Sequence, residues 1–491
     1  MTASRMDRRT VLGLAAGLGL GAGVPVRIAL AGRARSDERG PDAVARWIVA
    51  TPRERALARA VHELGAGLSE PDLLGGCLLA AAREVRPDVA RFNHAALVVT
   101  SVGALTADLP REQRLPSLLW LVDSFKVEQE RETGDDWHLA AAPTVRAPSA
   151  TAARAELVRA FDAWDPPAAD AALVAFVRAA PIAEVLALVQ EYGLRTRSNA
   201  GHKAIYAMVV RRALPFVGER WAEDLLRSCV ASFFIHGRTE DVPIFDASRE
   251  LVARSLCAEG DARVADADVR REVLAMLRSR APEDVPAAIA ALVRAGAATG
   301  AIWDAYAMIA VEAAIIEPGT GPLHSVTSTT AVHHIAAHAA DARLADLALL
   351  QAGVWLARAR ANATGALHVE SLEPLPPGEP SPGANDCLAR VIGPYEEGRP
   401  SAARRAVGVA ADELAAAELA GAAREVVCAK ADDVHEFKLT AAVLEELSRV
   451  GPEARRALLA ALAVYVPDPR RASGDERTRI AEAITADARG G

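Results

Sequence analysis

Apolar residues recur at helical spacing along almost the whole chain after about residue 50. In segments such as 53–66 and 69–84 they return every three or four positions, and short Gly- or Pro-containing stretches separate one segment from the next. No segment shows the strict alternation of a half-buried strand. The pattern predicts an all-α protein, either a large multi-helix bundle or an irregular α-solenoid of the HEAT type.

The predicted helices follow one another without a long break, so residues 51–491 are expected to form a single large helical domain. One stretch interrupts the pattern. Residues 372–383 contain five prolines and are predicted to be a linker or a surface excursion.

The first 31 residues have the composition of a twin-arginine (Tat) export signal. Arg8 and Arg9 precede a short Gly/Ala-rich apolar run, and residues 29–31 (Ala-Leu-Ala) suit signal cleavage. The run is too short and too rich in glycine for a stable membrane span, although an uncleaved anchor stays open. Residues 32–50 are predicted to be a polar, mobile segment. The expected location of the mature protein is the periplasm.

Composition narrows the classes of partner. The chain has a formal net charge of −8, and the signal holds more Arg than acidic residues, so the mature protein is more acidic still. An acidic chain without a basic tract argues against nucleic acid and anionic membranes as partners. The five cysteines include no CxxC pair, so they predict no cysteine zinc site and leave disulfide pairing open.

Glu312 lies within the segment 303–341, which predicts a helix, a Gly/Pro turn and a second helix. Residues three and four positions away on a helix are neighbours, and here they are all apolar: Met308, Ile309, Ile315 and Ile316. A carboxylate in such surroundings is expected to be paired or bound to a metal. The predicted turn at 318–322 follows this helix, and His324 lies just after the turn, at the predicted start of the second helix. The alternative is a semi-buried Glu that is hydrogen-bonded to Thr or Ser.

Four histidines are candidate metal ligands: His94, His202, His324 and His435. The last three are predicted at helix starts, where the helix dipole favours the neutral imidazole that binds metals. With a carboxylate from Glu312 or Asp433, they predict a three-His, one-carboxylate site for iron, copper or zinc, acting on a small-molecule substrate. Each histidine could instead be a hydrogen-bonded structural residue, and the sequence does not show whether they converge.

A more local pattern competes with this one. His334, His338 and Asp341 are spaced to project from one helical face and could chelate a divalent ion. Their alanine flanks favour a solvated polar face instead.

Two lysines lie at positions where a polar contact is predicted. Lys203 follows His202 directly and is a candidate to orient an anionic substrate group or to cap a helix. Asp123 and Lys126 are predicted to form a partly buried ion pair at i,i+3.

Four short stretches, FNHAAL, GHKAIY, PLHSVTSTTAV and DDVHEFK, resemble those of large helical questin oxidase-like proteins. The resemblance implies an oxygenase acting on a small molecule, with His94, His202, His324 and His435 on its polar positions. It does not carry over the substrate.

The leading hypothesis is therefore an exported, all-helical metalloprotein with an interior His/Glu site. The expected activity is that of an oxidoreductase that activates oxygen at iron or copper, with Glu312 as a ligand or general base. The alternative is a HEAT-like interaction scaffold with structural histidines. A metal-independent Glu-His hydrolase is a third hypothesis, for which no recognisable nucleophile is present.

Overall fold

The computed structural model describes residues 40–88, 92–131, 137–145, 149–235, 239, 241–253, 256, 264–365, 367–378, 386–394 and 397–490. Within these residues no β-strand forms, and helices dominate, so the prediction of an all-α protein is confirmed. The predicted export signal at 1–31 lies outside the described residues.

The α-helices, in chain order, are α1 (Pro41–Ala50), α2 (Arg53–Gly65), α3 (Glu70–Glu84), α4 (His94–Leu97), α5 (Val99–Thr106), α6 (Arg111–Arg131), α7 (Ala150–Ala163), α8 (Pro166–Ala179), α9 (Ile182–Gly193), α10 (His202–Val217), α11 (Ala222–Ser232), α12 (Asp241–Val252), α13 (Asp266–Ser279), α14 (Val285–Arg294), α15 (Thr299–Ile316), α16 (Thr320–Ala337), α17 (Ala342–Asn362), α18 (Asp386–Ile392), α19 (Gly398–Val409), α20 (Glu413–Lys430), α21 (Val434–Glu446), α22 (Pro452–Tyr465) and α23 (Asp475–Gly490). Short 3-10 helices form at Asn199–Gly201, Glu219–Trp221, Pro282–Asp284 and Val369–Ser371.

The helices group into two compact units. The amino-terminal unit comprises the described parts of Ile28–Ser255, Ala331–Gln351 and Gly474–Gly491. The carboxyl-terminal unit comprises the described parts of Leu256–Thr330 and Ala352–Ser473. The expectation of a single domain over 51–491 stays a prediction.

The prediction that residues 32–50 form a mobile segment is wrong for the last ten of them, which form α1. Val44, Ala45 and Ile48 of α1 are buried because the helix packs closely on α3. The close approach depends on Gly76 of α3, where an added Cβ would overlap the side chain of Val44. Burial of this apolar stripe stabilises the folded chain by more than the conformational entropy that the segment loses when it forms a helix.

The predicted ion pair between Asp123 and Lys126 does not form. Both oxygens of Asp123 are bound by Arg53 of α2 at 3.1 and 3.2 Å, and Arg479 of α23 adds a bond of 2.7 Å. Lys126 instead donates to the carbonyl oxygens of Ile48 at 3.0 Å and Val49 at 3.2 Å. It thereby caps the carboxyl end of α1, where backbone carbonyls lack helical partners.

In the carboxyl-terminal unit, α15 is the central apolar helix. It is long and apolar enough to cross a membrane by length and composition, but 83% of it is buried in the folded chain. It packs on α13 and α22 of the same unit, and Tyr465 of α22 donates a hydrogen bond of 2.6 Å to the carbonyl oxygen of Ala314. These contacts are those of a core helix.

The proline-rich excursion is described only as far as residue 378. Residues 372–378 form no regular helix, in agreement with the prediction, and residues 379–383 lie outside the described residues.

Candidate metal centre

Two histidines of the amino-terminal unit face each other with the same ring nitrogen. The Nε2 atom of half-buried His94 lies 3.0 Å from the Nε2 atom of buried His202. Their ring centroids are 5.0 Å apart. The sequence separates these residues by more than 100 positions, so only the packing of α4 against α10 brings them together.

The proton on His202 can be assigned from its second nitrogen. Nδ1 of His202 lies 2.7 Å from the carbonyl oxygen of Asn199. A carbonyl oxygen only accepts hydrogen bonds, so Nδ1 must donate and the Nε2 atom of the neutral ring carries a lone pair. This lone pair faces His94.

The separation of 3.0 Å fits two arrangements. Two nitrogens bound to one metal at about 2.05 Å lie roughly 2.9 Å apart at a right angle and roughly 3.3 Å apart at a tetrahedral angle. The same distance suits a hydrogen bond in which Nε2–H of His94 donates to His202. The pair is therefore arranged to hold either a proton or a metal ion between two imidazoles.

The backbone before each of these histidines is in a rare conformation. Phe92 and Asn93 precede His94 with φ values of 49° and 51°, and Asn199 and Ala200 precede His202 with φ values of 53° and 57°. Left-handed conformation is unfavourable for residues with a Cβ, and such strain concentrates at functional sites. Of the non-glycine residues described with positive φ, all but Trp164 lie in these two pairs.

Side-chain contacts hold the first of these turns in place. Asn93 donates from Nδ2 to the carbonyl oxygens of Ala81 at 2.9 Å and Val85 at 3.1 Å, and its Oδ1 accepts from the backbone of Ala96. Phe92 is buried, and its ring stacks on the imidazole of His202 with centroids 4.9 Å apart. The end of α3 thus fixes the turn that presents His94.

Replacing Ala200 with glycine is expected to raise the free energy of unfolding by about 1 kcal/mol, because glycine adopts φ near 57° without a Cβ clash. Urea denaturation measures the change. Ala155→Gly, at an exposed position inside α7, is the matched control and should lower stability by about 1 kcal/mol. A loss of stability in Ala200→Gly would contradict the strain.

The carboxyl-terminal unit contains a second pair. The rings of His324 on α16 and His435 on α21 meet edge to face, with centroids 5.1 Å apart and planes at 82°. Nδ1 of His324 donates to the carbonyl oxygen of Thr320 at 2.6 Å, and Nδ1 of His435 donates to Oδ1 of Asp433 at 2.8 Å. The Nε2 atoms of both neutral rings therefore carry lone pairs.

Titratable groups surround His435. Burial lowers the pKa of His435 below 6.5, while the hydrogen bond to Asp433 opposes this shift. Burial also lowers the pKa of Lys438, one helical turn along α21, to about 7, opposed by Asp433. The pKa of Glu436 rises to about 6, mainly through burial and against the charge of Arg471. Because its pKa lies below 6.5, His435 is neutral at neutral pH, which is the form that a metal ligand needs.

Lys203 is buried directly beside His202. Its Nζ donates to Oγ1 of Thr196 at 3.0 Å and lies 5.4 Å from the ring centroid of Trp164. Burial, together with the charge of Arg195 and against the charge of Asp241, lowers its pKa to about 7. Neither of the predicted roles, orienting an anion or capping a helix, is tested by these contacts.

Glu312 is fully buried, as predicted, but it does not contact His324. Its carboxylate is bound by Arg278 of α13, with Nε at 3.2 Å, and accepts from the backbone nitrogen of Val369 at 3.0 Å. Arg360 of α17 lies 3.5 Å away. The carboxylate is therefore part of a buried ion pair with Arg278. The alternative of a Thr or Ser partner is wrong, because the partners are Arg278 and the backbone of Val369. The role of Glu312 as a metal ligand or general base stays a prediction.

The cluster near the end of α16 is only partly a solvated face. His338 and Asp341 are exposed, as predicted, but His334 is buried and stacks on His338 with centroids 4.1 Å apart. Arg212 lies 3.4 Å from Nδ1 of His334. Oδ1 of Asp341 accepts from the backbone nitrogen of Leu344 at 2.8 Å and so caps α17.

Two pockets found among the described residues are lined by none of the four candidate histidines. One pocket of about 330 Å³ in the amino-terminal unit is lined by His138, Arg83 and Arg227, among others. The guanidinium groups of Arg83 and Arg227 are already bound by Asp224 and Asp170. Because these charges are neutralised, the pocket offers little to a charged ligand, and the candidate chemistry rests on the histidines.

Sequence reasoning missed Lys438 and Arg278. Lys438 had a usable signal, since it lies three residues after His435 and so shares its helical face. Arg278 had none, because it is distant from Glu312 in the chain. The prediction that the four histidines bind one ion concerns residues of both units and stays a prediction.

No family model, no curated protein and no solved structure matches this chain.

Proposed function

We propose that the chain is an exported metalloprotein in which His94, His202, His324 and His435 are ligands for iron, copper or zinc. The observation that carries the proposal is the opposition of two Nε2 atoms at 3.0 Å in the pair His94–His202. Nε2 of neutral His202 carries a lone pair, and a second Nε2 at this distance suits a metal ion bound between the two rings.

The hydrogen bonds made by Nδ1 in three of the four histidines support the proposal. Metal-bound histidines usually donate their other N–H group to a carbonyl or carboxylate, which fixes the tautomer. His202 and His324 donate to backbone carbonyl oxygens, and His435 donates to Asp433. Imidazole ligands suit zinc, copper and iron, so the donor set does not choose among the three.

The reaction class rests on the resemblance to questin oxidase-like proteins. That resemblance favours an oxidoreductase that activates oxygen at iron or copper and acts on a small molecule in the periplasm. A bound redox metal would supply the binding position for oxygen and would pass electrons to it from the substrate, which is oxidised. Lys203, beside His202 in the chain, would orient an anionic group of the substrate. Glu312 has no role in this proposal, since Arg278 already binds its carboxylate.

The test is metal binding by protein exported through its own signal. Elemental analysis should find a stoichiometric transition metal, and His202→Ala should weaken its affinity by more than the roughly 10–100-fold that loss of an outer partner causes. His94→Ala should have the same effect. The matched control is His62→Ala, at an exposed position on α2, which should leave affinity unchanged.

The stoichiometry also tests the grouping of ligands. One ion per chain, lost in both His202→Ala and His324→Ala, would support a single site. Two ions per chain, each lost in only one variant, would support two separate sites. If the wild-type chain binds no metal and His202→Ala behaves like the wild type, the proposal is wrong and the pair is a hydrogen bond.

A further inference from the structure

The start of α21 has an unusual cap. Asp433 is the N-cap residue, and its Oδ1 atom accepts two hydrogen bonds from the same residue, His435. One comes from the backbone nitrogen at 2.6 Å and the other from ring atom Nδ1 at 2.8 Å. A single carboxylate oxygen therefore binds both the helix backbone and the imidazole.

The other side-chain caps differ. Asp165 and Asp412 accept from the backbone nitrogen three residues on, at Ala168 and Ala415, which is the usual third position of the helix. Asp433 accepts two residues on, so the capped residue is the histidine itself. Capping at this position allows the cap oxygen to reach the ring as well as the backbone.

We propose that Asp433 is a positioning residue that fixes the tautomer and orientation of His435, so that Nε2 is the atom presented for binding. The metal-binding part of this inference rests on the proposed function, whereas the tautomer does not. The sequence had made Asp433 a candidate ligand. The geometry gives it a role through His435 instead.

The assignment of the proton follows from the acceptor. Oδ1 of Asp433 accepts from the backbone N–H of His435 at 2.6 Å and lies 2.8 Å from Nδ1 of the same residue. The oxygen that accepts the backbone hydrogen bond is thus also the acceptor for the ring. Nδ1 of His435 must carry the proton, and the lone pair of the neutral ring is on Nε2.

The orientation of the ring is held from two sides. The shared oxygen of Asp433 ties the ring to the backbone of its own residue, which restricts rotation about χ1. His324 meets the ring edge to face on α16. An outer carboxylate of this kind orients metal-bound histidine and raises its basicity.

The test compares Asp433→Ser and Asp433→Asn with the wild type in the metal-free full chain. Serine keeps the helix cap but is too short to hold the ring, and asparagine keeps the shape without the charge. Nitrogen-15 NMR of histidine, above about pH 7 where neutral rings predominate, reports which ring nitrogen carries the proton. We expect Nδ1–H for His435 in the wild type, a mixture in Asp433→Ser and an intermediate result in Asp433→Asn.

Metal affinity is measured separately, with zinc as the probe. We expect Asp433→Ser to lower it by roughly 10–100-fold. Asp412→Ser makes the same cap replacement on α20, and it should change neither the His435 spectrum nor the affinity.

The two readouts separate the inference from the proposed function. An Nε2–H tautomer in the wild type, or an unchanged tautomer in Asp433→Ser, would overturn the inference whether or not metal binds. If zinc does not bind to the wild type but the tautomer changes as expected, the positioning role stands and the proposed function fails.

Discussion

Glu312→Ala is expected to lower the free energy of unfolding by about 3–5 kcal/mol, the usual loss when one partner of a buried ion pair is removed. The substitution would leave Arg278, whose side chain is 15% exposed, without its buried carboxylate. It would also leave the backbone nitrogen of Val369 without an acceptor. Urea denaturation at neutral pH measures the change.

Glu370→Ala is the matched control, because Glu370 pairs with the same Arg278 but is 41% exposed. An exposed pair contributes only about 0–1 kcal/mol, so this loss should be small. Metal affinity should be unchanged in both variants. A small loss of stability in Glu312→Ala together with loss of bound metal would contradict the ion-pair role and restore Glu312 as a ligand.

The stability of the metal-free protein is expected to rise with pH between about 7 and 10.5, because burial lowers the pKa of Lys438 from 10.5 to about 7. In this range the unfolded chain holds a proton on Lys438 that the folded chain has lost. Raising the pH removes this advantage of the unfolded chain, by up to about 1.4 kcal/mol per pH unit. Below about pH 7 both states are protonated, and the destabilisation is constant.

Lys438→Met should therefore reduce the slope of stability against pH by that amount, and its stabilising effect should be largest at and below about pH 7. Lys203 has a similar shift and adds a slope of the same sign. Lys430→Met, at a half-buried lysine that bonds the carbonyl oxygen of Arg471, is the control for loss of a lysine. Equal slopes in the wild type and Lys438→Met would contradict the buried amine.

Helical periodicity predicted the fold class because each helix has to bury its own apolar stripe, whatever its neighbours are. Local rules also placed His202 at the start of α10 and His435 near the start of α21, after Gly201 and Asp433. His324 was predicted at a helix start, but α16 begins four residues earlier, at Thr320. Turn residues in a sequence predict where a helix starts only to within a few positions.

Burial was easier to predict than partners. The apolar neighbours of Glu312 on α15 correctly indicated a buried carboxylate, yet its partner proved to be Arg278 on another helix. Asp123 and Lys126 share a helical face but bind residues of other helices. A buried charge binds whichever opposite charge the packing brings near, and packing depends on all the surrounding helices.

The sequence by itself determined the helices, the burial of Glu312 and the histidines that merit testing, because these depend on spacing within one segment. Only the tertiary structure decided that His94 meets His202 through Nε2 and that His324 meets His435. The physical reason is the separation along the chain over which each effect acts. Helical periodicity acts over a few residues, whereas each histidine pair spans more than 100 residues and forms only when distant helices pack.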